Sequence, residues 1–200
     1  MKIITRGAGS VIAKALGEIE GVEIVPVGVH ERLPMDGGFY LFAQGQNLQK
    51  TIREHLTVEC LITMRANAWL PMEEIEALIE KNPGARIVVM GSDSGFKWSH
   101  NGIYAAAKAA LHRYVETKRM QHPGQQLVCV APSMIFGSGM VTRRNEDGQR
   151  ALQDRLAAHP MGRMVSADEI AHLIHYLLGP HGQFVSGVVI RMNGGEHCQA

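Results

Sequence analysis

Short apolar runs rich in β-branched residues alternate with longer helical patterns along the whole chain, and this alternation restricts the possible folds more than any other feature. The apolar runs predict six strands, at residues 2–5, 22–28, 39–43, 86–90, 127–131 and 188–192. Several runs are apolar on both faces, as a parallel sheet covered by helices requires. The patterns between the runs predict helices at residues 10–19, 47 to about 81, 102–120, 147–158 and 167–178.

Alternating strands and helices predict an α/β fold with a doubly wound parallel sheet and right-handed crossovers, here as a single domain over residues 1–200. The last helix has clear boundaries: Ser166 and Glu169 form a capping-box pattern at its start, and Gly179 with Pro180 ends it. Because ligands bind beyond the carboxyl ends of the strands in such sheets, we expect functional residues in the segments that follow the strands.

Composition and charge exclude several classes of function. Of the 200 residues 46% are hydrophobic, enough for one large core, and the net charge of +1 comes from interspersed acids and bases, which excludes nucleic acid as a partner. Cys60, Cys129 and Cys198 are far apart and indicate reduced thiols. The N-terminus leads directly into a strand without a signal-peptide core, and no stretch reaches the roughly 18 apolar residues of a membrane span. We therefore expect a soluble, cytoplasmic protein with no membrane partner.

The alanine-rich helix at residues 102–120 carries one tyrosine and one lysine a single turn apart. Tyr104 and Lys108 emerge on the same face, because residues i and i+4 of a helix are neighbours. A lysine ammonium favours the phenolate and is expected to lower the tyrosine pKa from about 10. A phenol of this kind exchanges a proton with a carbonyl or alcohol oxygen. A tyrosine at the core edge beside a solvated lysine is the alternative, since this spacing is common by chance.

Three further features favour the catalytic alternative. Ser92 follows the strand at residues 86–90, where its hydroxyl can bond the same substrate oxygen as Tyr104. Pro132 follows the next strand and begins a loop that is expected to border a ligand. The C-terminal part then carries a recognisable order of motifs: Gly162-Arg163, Glu169-Ile170-Ala171, and a last strand followed by Asn193-Gly194-Gly195.

Together these ordered features resemble the short-chain dehydrogenase/reductase family, from about Phe39 to Gly195 and weakly before it. The resemblance implies a Rossmann-like sheet and an NAD(P)-dependent oxidoreductase that transfers hydride between nicotinamide and a carbonyl or alcohol substrate. It implies Tyr104 as general acid/base, Ser92 as the group that polarises the substrate oxygen, and Lys108 as the residue that tunes Tyr104 and holds the nicotinamide ribose. It also implies a homodimer or homotetramer.

The resemblance also implies a set of cofactor-binding residues: Arg6, Gly7, Gly9, Ser10, Ala43, Gln44, Gly45, Tyr104, Lys108, Pro132, Ser133 and Ile135. The family's glycine-rich first turn is altered, because its three glycine positions hold Arg6, Ser10 and Ile12. Either Arg6 and Ser10 still contact phosphate, with Arg6 favouring NADP, or the turn has lost its ligand. Ser133 replaces the family's glycine after Pro132. His30 and Arg32 after the second strand weakly favour NADP over NAD.

The chain is shorter than the family pattern requires. Only 40 residues separate Thr5 from Gly45, about half the usual number, which implies that one edge strand and its helices are missing and that about six strands remain. The family's catalytic asparagine has no clear match: alignment places Glu59 near its position, and Asn67 is less well placed.

Other readings of the sequence remain open at this stage. A cofactor-free relative that serves as a binding or assembly protein would also fit the altered turn. A relative of the halohydrin dehalogenases, with an anion pocket in place of nicotinamide, fits less well, because that branch has arginine where Lys108 stands. His172 and His175 lack a third ligand, so no metal site is expected. Arg143 and Arg144 either attract an anionic substrate or belong to a solvated face.

Overall fold

The computed structural model describes residues 1–28, 30–44 and 56–196. Their six strands form one parallel sheet in the order β2-β1-β3-β4-β5-β6. The strands are β1 (Lys2–Arg6), β2 (Glu23–Val27), β3 (Phe39–Phe42), β4 (Arg86–Met90), β5 (Gln126–Pro132) and β6 (Val188–Met192). The helices are α1 (Val11–Gly17), α2 (Thr57–Met64), α3 (Leu70–Lys81), α4 (Gly102–Thr117), α5 (Gly139–Thr142), α6 (Glu146–Ala157) and α7 (Ala167–Leu178).

Two apolar cores lie on opposite faces of the sheet, because successive strand residues point to opposite sides. In β4, Val88 packs with α1 and α7 on one face, whereas Ile87 and Val89 pack with α3 and α4 on the other. All residues of β4 and β5 are buried. The doubly wound sheet predicted from the two-sided apolar runs is therefore confirmed.

The predicted shortening is also confirmed, since β2 is an edge strand of the sheet. Residues 28–38 connect β2 to β3 on the opposite side of β1, and their described part contains neither helix nor strand. The missing strand would have extended the sheet beyond β2.

The predicted helix at residues 47–81 is interrupted, and its part up to residue 55 lies outside the described residues. A π-helical turn, Arg65–Trp69, joins α2 to α3 and packs against α4. The Asn67 side-chain amide donates to the Thr63 carbonyl at 2.9 Å, and both residues are buried. This bond engages the carbonyl that a regular helix offers to the backbone N–H four residues on, which gives a local reason for the widened turn.

Helices α1, α4, α6 and α7 agree closely with the sequence patterns, whereas the short helix α5 was not predicted. Helix α7 begins after Ser166, whose side chain accepts from the Glu169 N–H while the Glu169 carboxylate accepts from the Ser166 N–H, so the predicted capping box is confirmed. Among the described residues no helix has both the length and the apolar composition to cross a membrane.

Candidate active site

A cleft opens at the carboxyl ends of the strands, where the fold class predicts a ligand site. Parallel strands bring the ends of β1, β3, β4 and β5 to one edge of the sheet. The cleft is lined by Ile12, Ala43, Gln44, Met90, Gly91, Ser92, Tyr104, Lys108, Pro132, Ser133, Ile135, Met140 and Arg143. The structure therefore brings together the three predicted catalytic residues and five of the predicted cofactor residues that are not among them.

Ser92 and Tyr104 are held in place by local turn and helix chemistry. The Asn101 side chain caps α4 by accepting from the Tyr104 N–H at 2.9 Å, which fixes where the tyrosine leaves the helix. Ser92 lies directly after β4 and Gly91, and its Oγ accepts from the Ser94 N–H at 3.2 Å. The Ser92 side chain is close enough to the Tyr104 hydroxyl to act to lower its pKa. Both hydroxyls therefore converge at one end of the cleft.

Lys108 reaches the same region from the next turn of α4. Its Nζ donates to the Met90 carbonyl at 2.8 Å and lies 5.8 Å from the centroid of the Tyr104 ring. Burial lowers the pKa of Lys108 from its ordinary value of 10.5 to about 8, and the Cys129 thiol opposes this shift. The buried amine thus lies at the end of β4, and it loses its proton more readily than an exposed lysine does.

The expected lowering of the tyrosine pKa is wrong for this structure. Burial raises the pKa of Tyr104 above its ordinary value of 10.0, and the hydrogen bond with Ser92 only partly offsets it. The cause lies in geometry: Tyr104 is 5% exposed, and the Lys108 amine points to the Met90 carbonyl. The phenol is therefore protonated at neutral pH.

We expect Lys108→Met to stabilise the protein near neutral pH while it removes activity. Because the folded-state pKa of Lys108 is about 8 against 10.5, the unfolded chain binds more protons than the folded one between these values. The free energy of unfolding of the native chain therefore rises with pH across this window, and below it the fold carries the full cost of a buried ammonium. Removing that charge is expected to add about 1–2 kcal/mol at about pH 7, after loss of the hydrogen bond to Met90.

Urea unfolding at about pH 7 and about pH 10 measures this effect, since the advantage of Lys108→Met is expected to shrink as pH rises. Lys14→Met is the matched control, because Lys14 is exposed on α1 and its loss removes the same charge without a buried site. A variant that is destabilised equally at both pH values would contradict the argument.

The cleft is also lined by predicted cofactor-binding residues from the segments after β3 and β5. Ala43 and Gln44 follow β3, and Pro132, Ser133 and Ile135 follow β5, all at the cleft. The Gln44 amide is notable because its Oε1 and Nε2 are both buried without a hydrogen-bond partner. Such atoms are costly unless a ligand or water satisfies them. Ser133 Oγ instead donates to the Glu196 carboxylate at 3.0 Å.

The first turn does not match its predicted role in one respect. Arg6 is 5% exposed, and its guanidinium bonds the Glu74 carboxylate, the Gly28 carbonyl and, at 2.7 Å, the Glu31 carbonyl. With these bonds made, the side chain faces the loop after β2 and its charge is paired, so the predicted contact between Arg6 and a cofactor phosphate is not supported.

The remaining first-turn residues lie next to the cleft rather than in its lining. Gly7 has φ +78°, and a Cβ there would lie 2.7 Å from the Gln44 N atom, so only glycine fits this turn against the segment after β3. Gly9 faces open space. Ser10 caps α1 by accepting from the Ala13 N–H at 3.1 Å. Gly45, the remaining predicted cofactor residue, lies outside the described residues.

The two residues weighed for the asparagine position have different environments. The Glu59 carboxylate accepts from the Leu56 N–H at 3.0 Å in the first turn of α2, as a helix cap does. Asn67 is fully buried on the π-helical turn that packs against α4. Both α2 and the π-helical turn pack against α4, so the two residues differ in depth: Asn67 is fully buried, whereas Glu59 is only partly buried.

A network of charges beside the cleft was missed by the sequence reasoning. Asp93, next to Ser92, binds Arg191 at 2.9 Å, Asn193 at 2.8 Å and Lys97. Burial alone would raise its pKa, but the bonds from Lys97 and Arg191 lower it overall. The charged residues of the "GSDSG" and "RMNGGE" segments were the available signal, although sequence alone does not show that they meet.

Glu196 forms the second centre of this network. Its carboxylate binds Arg155 of α6 at 2.7 Å and Lys97 at 2.6 Å, in addition to Ser133. Although burial acts to raise it, Arg155 and Lys97 lower the pKa of Glu196 to about 2. These bonds connect the segment after β6 to Ser133 after β5, to Lys97 in the loop after β4, and to α6. Within the described part of the chain, no three metal-ligating side chains gather in one place.

Comparison with known proteins agrees with the fold and the motif order. Residues 44–197, more than half of the chain, match a family model described as enoyl-(acyl carrier protein) reductase. An NADPH-dependent aldehyde reductase-like protein of Arabidopsis thaliana is 32% identical over 138 residues, which cover 64% of this chain and 47% of the plant protein. The chain thus spans about half the length of the plant relative.

Two further similarities extend over the whole chain. The 3-oxoacyl-(acyl-carrier-protein) reductase of Escherichia coli is 25% identical, with 96% of this chain and 94% of that protein aligned. The structure of a small-chain dehydrogenase in complex with NADPH superposes with a TM-score of 0.82 at 15% identity and covers 100% of this chain and 99% of the other. The family model, the relatives and the shared fold agree with the serine, tyrosine and lysine motifs: the chain belongs to the short-chain dehydrogenase/reductase family.

Proposed function

We propose that the protein is an NADP(H)-dependent oxidoreductase that interconverts a carbonyl compound and an alcohol. The observation that carries the proposal is that Ser92, Tyr104 and Lys108 line one cleft together with an unpartnered buried amide, Gln44. A family member without a catalytic role has no need for two hydroxyls and a buried amine at the same strand ends.

Each of the three residues has a role that its contacts support. Tyr104 is protonated at neutral pH because burial raises its pKa, so it is suited to donate a proton to a carbonyl oxygen during reduction. Ser92 lines the same cleft and acts on the Tyr104 hydroxyl, so it is suited to bond the same oxygen. Burial lowers the pKa of Lys108 to about 8. Lys108 is therefore suited to exchange a proton with Tyr104 once a bound ligand rearranges the side chains of the cleft.

The residues of the cleft fit the nicotinamide half of a dinucleotide. Gln44 offers one acceptor and one donor group without partners, which suits the hydroxyl and amide groups of a nicotinamide riboside. Ile12, Ile135 and Met140 add apolar surface for the ring. When bound, the cofactor supplies the hydride. Pro132 and Ser133 close the wall after β5, and Glu196 holds the Ser133 hydroxyl in place.

NADP is favoured over NAD, although not by Arg6, whose charge is paired with Glu74. The exposed side chains of His30 and Arg32 follow the edge strand β2 and are available to a 2′-phosphate. The printed name of the plant relative, an NADPH-dependent aldehyde reductase-like protein, points the same way. A cytoplasmic homodimer or homotetramer with one domain over residues 1–200 stays a prediction.

Calorimetric titration of the purified protein with NADPH and with NADH separately tests the proposal. We expect micromolar binding of NADPH and weaker binding of NADH, followed by NADPH consumption with some members of a panel of aldehydes and ketones. If neither dinucleotide binds at millimolar concentration, the oxidoreductase proposal is wrong and a cofactor-free role takes its place.

A further inference from the structure

His112 is a buried histidine on α4, one turn beyond Lys108 and two turns beyond Tyr104, and it does not line the cleft. It is 3% exposed. Its Nε2 accepts from the backbone N–H of Ser92 at 3.3 Å. This places an imidazole directly beneath the serine that the proposed function uses.

The loop that carries Ser92, residues 91–95, is shaped around this ring. A Cβ on Gly91 would lie 2.5 Å from His112 Nε2, and a Cβ on Gly95 would lie 2.6 Å from the His112 ring atom Cε1. Such contacts are far shorter than ordinary van der Waals distances, so both glycines on either side of Ser92 are needed to admit the ring. The fit is specific to this loop and to this side chain.

Aromatic stacking closes the slot from the solvent side. The Phe96 ring stacks on His112 with centroids 4.5 Å apart and an interplanar angle of 21°. The Arg191 guanidinium lies 4.5 Å from the Phe96 centroid and binds Asp93 in turn. Phe96 thus covers one face of the imidazole, and Gly91 and Gly95 lie close to its ring atoms.

Two side chains of α4 therefore grip the end of β4 from neighbouring positions. Lys108 donates to the Met90 carbonyl and His112 accepts from the Ser92 N–H, so the two backbone groups on either side of Gly91 are both bonded to the helix that carries Tyr104. These two bonds tie the backbone around Ser92 to the helix that carries Tyr104.

We infer that His112 is a positioning residue, whose neutral imidazole fixes the Ser92 backbone and thereby aligns the Ser92 hydroxyl with Tyr104 for the reaction. This inference rests on the proposed function. The required state of the ring is unprotonated at Nε2, with the proton on Nδ1. Burial, together with the nearby Lys108, lowers the His112 pKa to about 4, with Asp93 opposing and Arg191 supporting the shift, so this state persists at neutral pH.

A double-mutant cycle with Ser92→Ala separates positioning from general stability. We expect His112→Leu, which fills the slot without an acceptor, to lower kcat on the order of 10- to 100-fold, because small misplacements of reacting groups have effects of this size. In the Ser92→Ala background the same change is expected to have no further effect on kcat. His112→Gln, whose Oε1 can replace the acceptor, is expected to retain most of the activity, and the affinity for NADPH stays unchanged in all variants.

His172→Gln is the matched control. Because His172 is exposed on α7, this substitution is expected to leave kcat unchanged. Nitrogen-15 NMR of the imidazole in the native chain supplies a readout without turnover: we expect an unprotonated Nε2 that titrates far below an ordinary histidine. If His112→Leu lowers kcat equally in the presence and absence of the Ser92 hydroxyl, or if His112→Gln does not rescue, the inference is wrong. It is also wrong if Nε2 carries a proton at neutral pH.

Failure of the proposed function gives a different pattern. In that case the native chain turns over no substrate although the NMR signature of the His112–Ser92 bond is present, and the role in catalysis is overturned together with the activity. Turnover by the native chain with additive effects of the two substitutions overturns the positioning role alone. If His112→Leu does not fold, the comparison of His112→Gln with the native chain in the two serine backgrounds decides between the same outcomes.

Discussion

Tyr104→Phe is expected to lower kcat by about 10³-fold, within the range that a positioned general acid contributes. The substitution removes one oxygen atom and keeps the ring, which is 5% exposed against α4 and the end of β4. Because the burial of Tyr104 raises its pKa, the native hydroxyl is protonated at neutral pH, and the variant lacks this proton donor. The loss therefore falls on the chemical step.

Cofactor binding is expected to survive this change. The cleft is also lined by the Gln44 amide, which lacks a partner and which the substitution leaves unchanged. The calorimetric Kd for NADPH should therefore stay close to that of the native protein while NADPH consumption is lost. This split between binding and turnover separates a catalytic tyrosine from one that only shapes the cleft.

Tyr114→Phe is the matched control for this experiment. Tyr114 lies on the same helix, and its hydroxyl donates to the Glu76 carboxylate at 2.9 Å, away from the cleft. It loses the same atom and one hydrogen bond, so its kcat is expected to match the native value. Residual turnover of Tyr104→Phe within a few-fold of the native rate would show that another group donates the proton.

The sheet could be predicted from the sequence because its signal is local. The apolar runs at residues 86–90 and 127–131 are continuous, and the structure buries every residue of β4 and β5. The Tyr104–Lys108 spacing was also readable, because helix geometry alone places residues one turn apart on one face. In each case, a few neighbouring residues decide the outcome.

The properties that the sequence misjudged depend on partners far along the chain. Lys108 was expected to lower the Tyr104 pKa. In the structure the Lys108 amine donates to the Met90 carbonyl instead, and burial raises the Tyr104 pKa. His112 was not predicted to be a site residue, because its position beneath Ser92 depends on the room that Gly91 and Gly95 leave for its ring. Spacing gives the direction of a side chain, whereas its partner and its desolvation require the packed structure.

Arg6 is the sharpest example of this limit, and Arg6→Met is expected to destabilise the fold by about 3 kcal/mol or more. The substitution leaves the Glu74 carboxylate, whose side chain is 13% exposed, without its cation. The Gly28 and Glu31 carbonyls lose their donor at the same time. Urea unfolding measures the loss, and adding Glu74→Leu to Arg6→Met is expected to restore part of the stability, because the unpaired buried charge then disappears.

Lys2→Met provides the control on the same strand. Lys2 pairs with Glu23 at 3.5 Å, but its side chain is 69% exposed, so its loss is expected to change stability by less than about 0.5 kcal/mol.

The NADPH titration separates the two roles of Arg6. If Arg6 holds a cofactor phosphate, Arg6→Met weakens NADPH binding by roughly tenfold or more with little change in unfolding, as loss of a charged hydrogen bond does. If Arg6 ties the edge strand β2 to α3 through Glu74, stability falls and the affinity of the folded protein for NADPH is largely kept. The buried, fully engaged guanidinium favours the second outcome.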